Sequence, residues 1–141
     1  MIEQLARRSR RAFIAVAIYG TALFWVNHIP QVGVRLAVPH GDKYAHFGAY
    51  ALLAFLMAWT LYPDRRGHWR GYLIIFLAAM SYGAADELLQ AFVPGRYADW
   101  WDWIADIGGA SIGIAAHRVG APTIARLRRS LQTSPAAESS S

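Results

Sequence analysis

Asp86 and Glu87 are adjacent carboxylates at the end of an apolar run that includes Leu77-Ala78-Ala79-Met80. In a membrane helix each costs roughly 2.5 to 3.5 kcal/mol at the bilayer centre and less near an end. Such residues persist where they face a bundle interior or a wet cavity and have work there. That work is general acid or base catalysis, or the binding of a charged ligand. Partners lie on both sides in the chain: Asp42, Lys43, His46 and Tyr50 before, then Gln90, Arg96, Asp99, Asp102 and Asp106 after. Asp86, Glu87 and His46 are the candidate catalytic residues. Asp42, Lys43, Tyr50, Gln90, Arg96, Asp102 and Asp106 are the candidate binding residues.

Lys43 and Arg96 suit a phosphate, the arginine as a two-pronged fork. Asp, Glu and His around one wet pocket also suit a divalent cation, and oxygen ligands favour magnesium or manganese. No fixed ligand spacing marks a metal site, and no other cofactor is evident. The absence of cysteine excludes a disulfide, a thiolate metal site and a catalytic thiol. Each residue also has a plain structural role. Asp42 suits a helix cap, Lys43 a snorkelling side chain, and His46 a hydrogen bond between helices. Polar glue between membrane helices more often uses Ser, Thr or Asn, which carry no charge to desolvate. The Asp86-Glu87 pair therefore points to a site.

The elements that must position these groups are apolar blocks. Of 141 residues 55% are hydrophobic and 16% charged, against about 25% charged in soluble domains. The blocks are Ala12 to Ile29, Tyr44 to Tyr62, Tyr72 to Phe92 and Trp100 to Val119. Each is close to the ~20 residues that cross a hydrocarbon core. The expected fold is all-α, an integral membrane four-helix bundle.

A net charge of +5 raises nucleic-acid binding, but the distribution of arginines argues against it. Arg7, Arg8, Arg10 and Arg11 precede the first block, Arg65, Arg66 and Arg70 separate the second and third, and Arg118, Arg126, Arg128 and Arg129 end the fourth. The other connections hold only Arg35, Lys43 and Arg96. This alternation predicts a multi-pass protein of the cell membrane with both termini cytoplasmic. Residues 1–11 then form a basic cytoplasmic segment, 12–120 the membrane domain, and 121–141 a basic, then disordered tail. A short surface helix is expected over Ala121 to Leu131. Ser9-Arg10-Arg11 is taken as the flank of an uncleaved first helix rather than an export signal.

Helical spacing gathers the polar residues into stripes. Asp42, His46 and Tyr50 recur every four residues, as do Asp86 and Gln90. Asp99, Asp102, Asp106, Gly109 and Gly113 share one face, with the glycines suited to close helix contact. Under the arginine-derived orientation all three stripes lie in the outer third of the bilayer. Asp86 and Asp106 are then roughly 6 to 10 Å below the outer surface. Six of the nine acids meet there, so an empty pocket is expected to be net negative.

These motifs resemble the VanZ-like family of small membrane proteins. The resemblance rests on Asp42-Lys43-x-x-His46-Phe47-x-x-Tyr50, then Asp86-Glu87-x-x-Gln90-x-Phe92-x-Pro94-Gly95-Arg96, then Asp102, Gly109 and Gly113. It covers about residues 40 to 115. The chain departs from the family at Asp106, where Asn is usual. The resemblance implies a cell-envelope role and, for the namesake, low-level resistance to the glycopeptide teicoplanin. Two readings follow. One is a binding or accessory protein for membrane lipids, a lipid-linked envelope precursor or a glycopeptide. The other is an enzyme acting on a lipid-linked phosphate through Asp/Glu acid–base chemistry. An ion path is disfavoured because the inner halves of the blocks are mostly apolar. Oligomeric state is left unassigned.

Overall fold

The computed structural model describes residues 2–30, 39–63 and 67–132. Arg35, Arg65, Arg66 and the tail expected to be disordered after residue 132 lie outside the described residues. All regular structure among the described residues is helical: α1 (Ile2–Asn27), α2 (Gly41–Leu61), α3 (Trp69–Gln90) and α4 (Trp100–Gln132).

By length and composition α2 and α3 can cross a membrane. A core helix of a soluble protein would bury its apolar side chains. Here Leu52, Leu61, Leu73, Ile74, Leu77 and Leu88 are exposed, as on a helix solvated by lipid. Helix α1 opens with four arginines, and α4 carries acids near its start and arginines near its end. Both are therefore less uniformly apolar than the other two.

The chain runs up and down. Tyr82 donates to the Gly20 carbonyl at 2.7 Å and Asn27 to Asp86 at 2.6 Å, so α1 and α3 are parallel. The pairs His46–Asp106 and Phe55–His117 likewise make α2 and α4 parallel. The C-terminal ends of α1 and α3 thus meet the N-terminal ends of α2 and α4.

Helices α2 and α4 pack most closely. A Cβ at Gly109 would fall on the Phe47 carbonyl, and one at Gly113 on the Ala51 carbonyl. The register is constant, 62 positions from Phe47 to Gly109 and again from Ala51 to Gly113. Ala54, Ala58 and Ala110 are fully buried, forming with Ile75, Ala79 and Met80 a thin apolar layer. In lipid, where apolar contact alone drives little association, small residues gain their value from such close packing.

Two local features differ from simple expectation. Helix α4 continues through Gly120 and Pro122 to Gln132, so the expected separate surface helix over 121–131 is its continuation. Proline removes one hydrogen bond from the ladder, but Ala121 and Ala125 are buried and tie this stretch to the protein. At the other end, Val93 to Arg96 makes a tight turn. The Arg96 amide donates to the Val93 carbonyl at 3.0 Å, and Gly95 has φ 82. Pro94 then Gly95 suits that turn because the third position needs positive φ.

Candidate functional site

The site is built at the end of the bundle where α2 and α4 begin and α3 finishes. His46 is on the second turn of α2, with Asp102 and Asp106 on successive turns of α4. Its Nδ1 is 3.0 Å from Asp106 Oδ1, and its Nε2 is 3.9 Å from Asp102 Oδ2. A carboxylate oxygen only accepts, so Nδ1 carries the proton in the bond to Asp106. Nε2 is left facing Asp102.

Lys43, one turn earlier, is held by three carboxylates. Its Nζ lies 2.5 Å from Asp99, 2.8 Å from Asp102 and 3.4 Å from Asp42. The Lys43 ammonium, helped by the Trp101 amide, holds the Asp99 carboxyl below its ordinary range. Glu87 reaches in from α3. Its Oε2 accepts from the Asp99 backbone amide at 2.9 Å, while Oε1 is buried and unpartnered.

Asp86 points about 100° away around α3 and joins a second group. Its Oδ2 accepts from Asn27 at 2.6 Å and Gln90 at 3.0 Å, and His28 Nδ1 lies 3.5 Å from Oδ1. Asp86 and Glu87 are both buried, 2% and 7% exposed. They serve different sides of the helix. The sequence reading omitted Asn27 and His28, although their place in the last turn of the first block, just before Pro30, puts them at this depth.

Tyr50 sits beneath His46, its ring nearly parallel at 6.4 Å between centroids. Its hydroxyl and Asp106 Oδ2 are buried without hydrogen-bond partners. Gly83 makes room for both, since a Cβ there would lie 2.9 Å from Asp106 Oδ2 and 3.3 Å from the Tyr50 hydroxyl. Arg96 donates weakly to Gln90 Oε1 at 3.4 Å and to the Val26 carbonyl at 3.5 Å. Among the described residues it makes no ion pair. Lys43 and Arg96, expected to grip a phosphate together, thus have different partners.

A groove of about 390 Å³ opens sideways between α3 and α4, lined by Ala84, Glu87, Leu88, Ala98, Asp99, Trp100 and Trp103. Its walls are apolar and its polar end is Glu87 and Asp99. Leu88 and Trp100 are 68% and 64% exposed, so the groove faces the surroundings of the bundle rather than its interior.

Among the described residues two trios of side chains are close enough to hold a metal, His46, Glu87 and Asp102 in one and Asp42, Asp99 and Asp102 in the other. The second is already filled by the Lys43 ammonium.

At the opposite end His117 is buried and doubly bonded. Its Nε2 donates to the Tyr62 carbonyl at 3.0 Å, and its Nδ1 accepts from the Tyr72 hydroxyl at 3.0 Å. Tyr72 accepts in turn from the Gly67 amide at 3.0 Å. Every polar atom of this group is satisfied, which marks it as structural.

Comparison with known proteins agrees with the motifs. The chain is 30% identical over 79 residues to an uncharacterized protein of Schizosaccharomyces pombe, a stretch that is 56% of this chain and 48% of the relative. The chain thus spans about half the length of the curated relative it matches. No solved structure matches. The model of the VanZ/LLP1 family matches residues 4–121, which takes in all of α1 to α3 except its first two residues and most of α4. With the paired glycines and the polar motifs all inside that match, the chain belongs to the VanZ/LLP1 family.

Proposed function

We propose that this is a four-span membrane protein, both termini cytoplasmic, that holds the headgroup of a membrane lipid or lipid-linked envelope precursor at the outer leaflet. The observation that carries the reading is the lateral groove between α3 and α4, apolar along its walls and ending on Glu87 and Asp99. A chain of methylenes in the groove would be as well solvated as in lipid, while a headgroup would meet carboxylates. Carboxylates accept hydrogen bonds, so hydroxyl or amine groups of a sugar or peptide headgroup suit them. Lys43 is committed to three carboxylates, which disfavours its use as the holder of a bare phosphate. Glycopeptide tolerance, implied by the resemblance, fits a protein that holds an envelope precursor.

Crosslinking tests the reading. A polyprenyl-linked sugar carrying a photoactivatable group on its chain should label Leu88, Trp100 and Trp103 in the purified protein. Leu88→Trp, which fills the groove, should reduce labelling about tenfold, the equivalent of ~1.4 kcal/mol. Equal labelling of Leu73 and Ile74 on the outer face of α3 would overturn it.

One observation favours a catalytic version, in which the lipid-linked phosphate is the substrate. His46 is oriented by Asp106 as the base of a catalytic site is oriented by a third group. If Glu87→Gln retains crosslinking but stops turnover of such a lipid, the enzyme reading replaces the binding one.

A further inference from the structure

We propose that His46, Glu87 and Asp102 form a site for one divalent transition-metal ion, with zinc or manganese the fitting class. One ligand atom from each lies within 4.8 Å of the other two, and all three residues are buried. In a tetrahedral site with bonds near 2.1 Å, ligand atoms stand about 3.4 Å apart. His46 Nε2 and Asp102 Oδ2 are already 3.9 Å apart, so small side-chain rotations close the set.

The acidic cluster alone would not carry this. The independent observation is Glu87 Oε1, on a side chain more than nine-tenths buried, which has no hydrogen-bond partner. A buried carboxylate oxygen left unsatisfied is costly, and a cation removes that cost.

The surroundings are those of a metal site, because each of the three side chains also has an atom held by a neighbour. His46 Nδ1 binds Asp106, the carboxylate–histidine arrangement that fixes the tautomer and raises the basicity of Nε2. Asp102 Oδ1 is held by Lys43 and Glu87 Oε2 by the Asp99 amide. Three protein ligands leave a position open for water or a ligand group, as catalytic zinc sites do. The imidazole nitrogen favours a transition ion over magnesium or calcium, and the two carboxylates make manganese competitive with zinc. Charge agrees: Glu87, Asp102 and Asp106 surround His46, and the nearby Lys43 is shared with Asp99 and Asp42.

The inference shares Glu87 with the lipid reading but does not depend on it. The full chain, stripped with EDTA in lipid-free detergent, is titrated with zinc chloride and with manganese chloride. One ion per chain is expected, unaffected by the exposed-residue control His68→Ala. Glu87→Gln and Asp102→Asn, nearly isosteric, should each remove binding from the measurable range. Asp106→Leu should weaken it about 10- to 100-fold by freeing the ring. Bound manganese should show magnetic coupling to one imidazole nitrogen, a readout on the unmutated chain. Absence of that coupling, no uptake of either ion, uptake unchanged in Glu87→Gln and Asp102→Asn, or equal affinity for magnesium would each overturn the site. Lipid crosslinking repeated in EDTA tests the other reading separately.

Discussion

Asp99 shows how one half-buried residue organises its neighbours. Its side chain takes Lys43 and the Trp101 amide, while its own backbone amide supports Glu87. Because the folded state holds this carboxyl below its ordinary value of 3.8, its contribution is complete above the unfolded value. It is lost as pH falls through the folded one. The difference in melting temperature between wild type and Asp99→Asn should therefore be constant above about pH 5 and shrink below about pH 4. A difference that instead grows on acidification would show that Lys43 does not hold the carboxylate. Most of this residue chemistry was legible in the sequence, since His46, Asp102 and Asp106 follow from four-residue spacing. The division of Asp86 from Glu87 was not legible, because it depends on which neighbour lies on each side of α3. Asn27 and His28 escaped because the block Ala12 to Ile29 holds no acid to draw the eye.

At the scale of elements, the α2–α4 pair is the fixed part. Gly109 and Gly113 let backbone meet backbone, and a side chain at either would strike a carbonyl rather than a movable group. Gly113→Leu should thus destabilise by at least the ~1 to 3 kcal/mol of ordinary overpacking. It should also separate His46 from Asp106, seven residues earlier in α4 on the same seam. Thermal unfolding in detergent checks the first effect, and loss of site binding in the surviving folded fraction checks the second. Wild-type stability would mean that the helices are not in contact. The glycine stripe was visible in the sequence, but its partner helix was not: spacing shows which face is small, never what lies against it. The uninterrupted run of α4 past Gly120 was likewise hidden, since Gly-Ala-Pro is a common stop signal and buried Ala121 and Ala125 override it.

For the whole molecule, the proposed orientation puts Ala98 outside and His68 inside. Both are exposed, and the chain has no cysteine, so single-cysteine variants report without background. Ala98→Cys should react with an impermeant maleimide in intact cells, and His68→Cys only after permeabilisation. The reverse pattern would move the carboxylate cluster to the cytoplasmic face. Four helices were legible from block length, a property of the whole chain that survives local error.

The apolar layer of Ala54, Ala58, Ile75, Ala79, Met80 and Ala110 separates the carboxylates from His117, and under the proposed four-span topology it would act as electrical insulation. Voltage across a membrane drops where mobile charge and water are excluded, and a unit charge moved through 100 mV changes by about 2.3 kcal/mol. In the proposed orientation, with the drop confined to the layer, the carboxylates would stay at the potential of the outer medium. Capture of a ligand there would follow external salt and acidity but be indifferent to whether the cell is energised. A protein wired this way would work at equilibrium with one face of its membrane and draw nothing from the gradient across it.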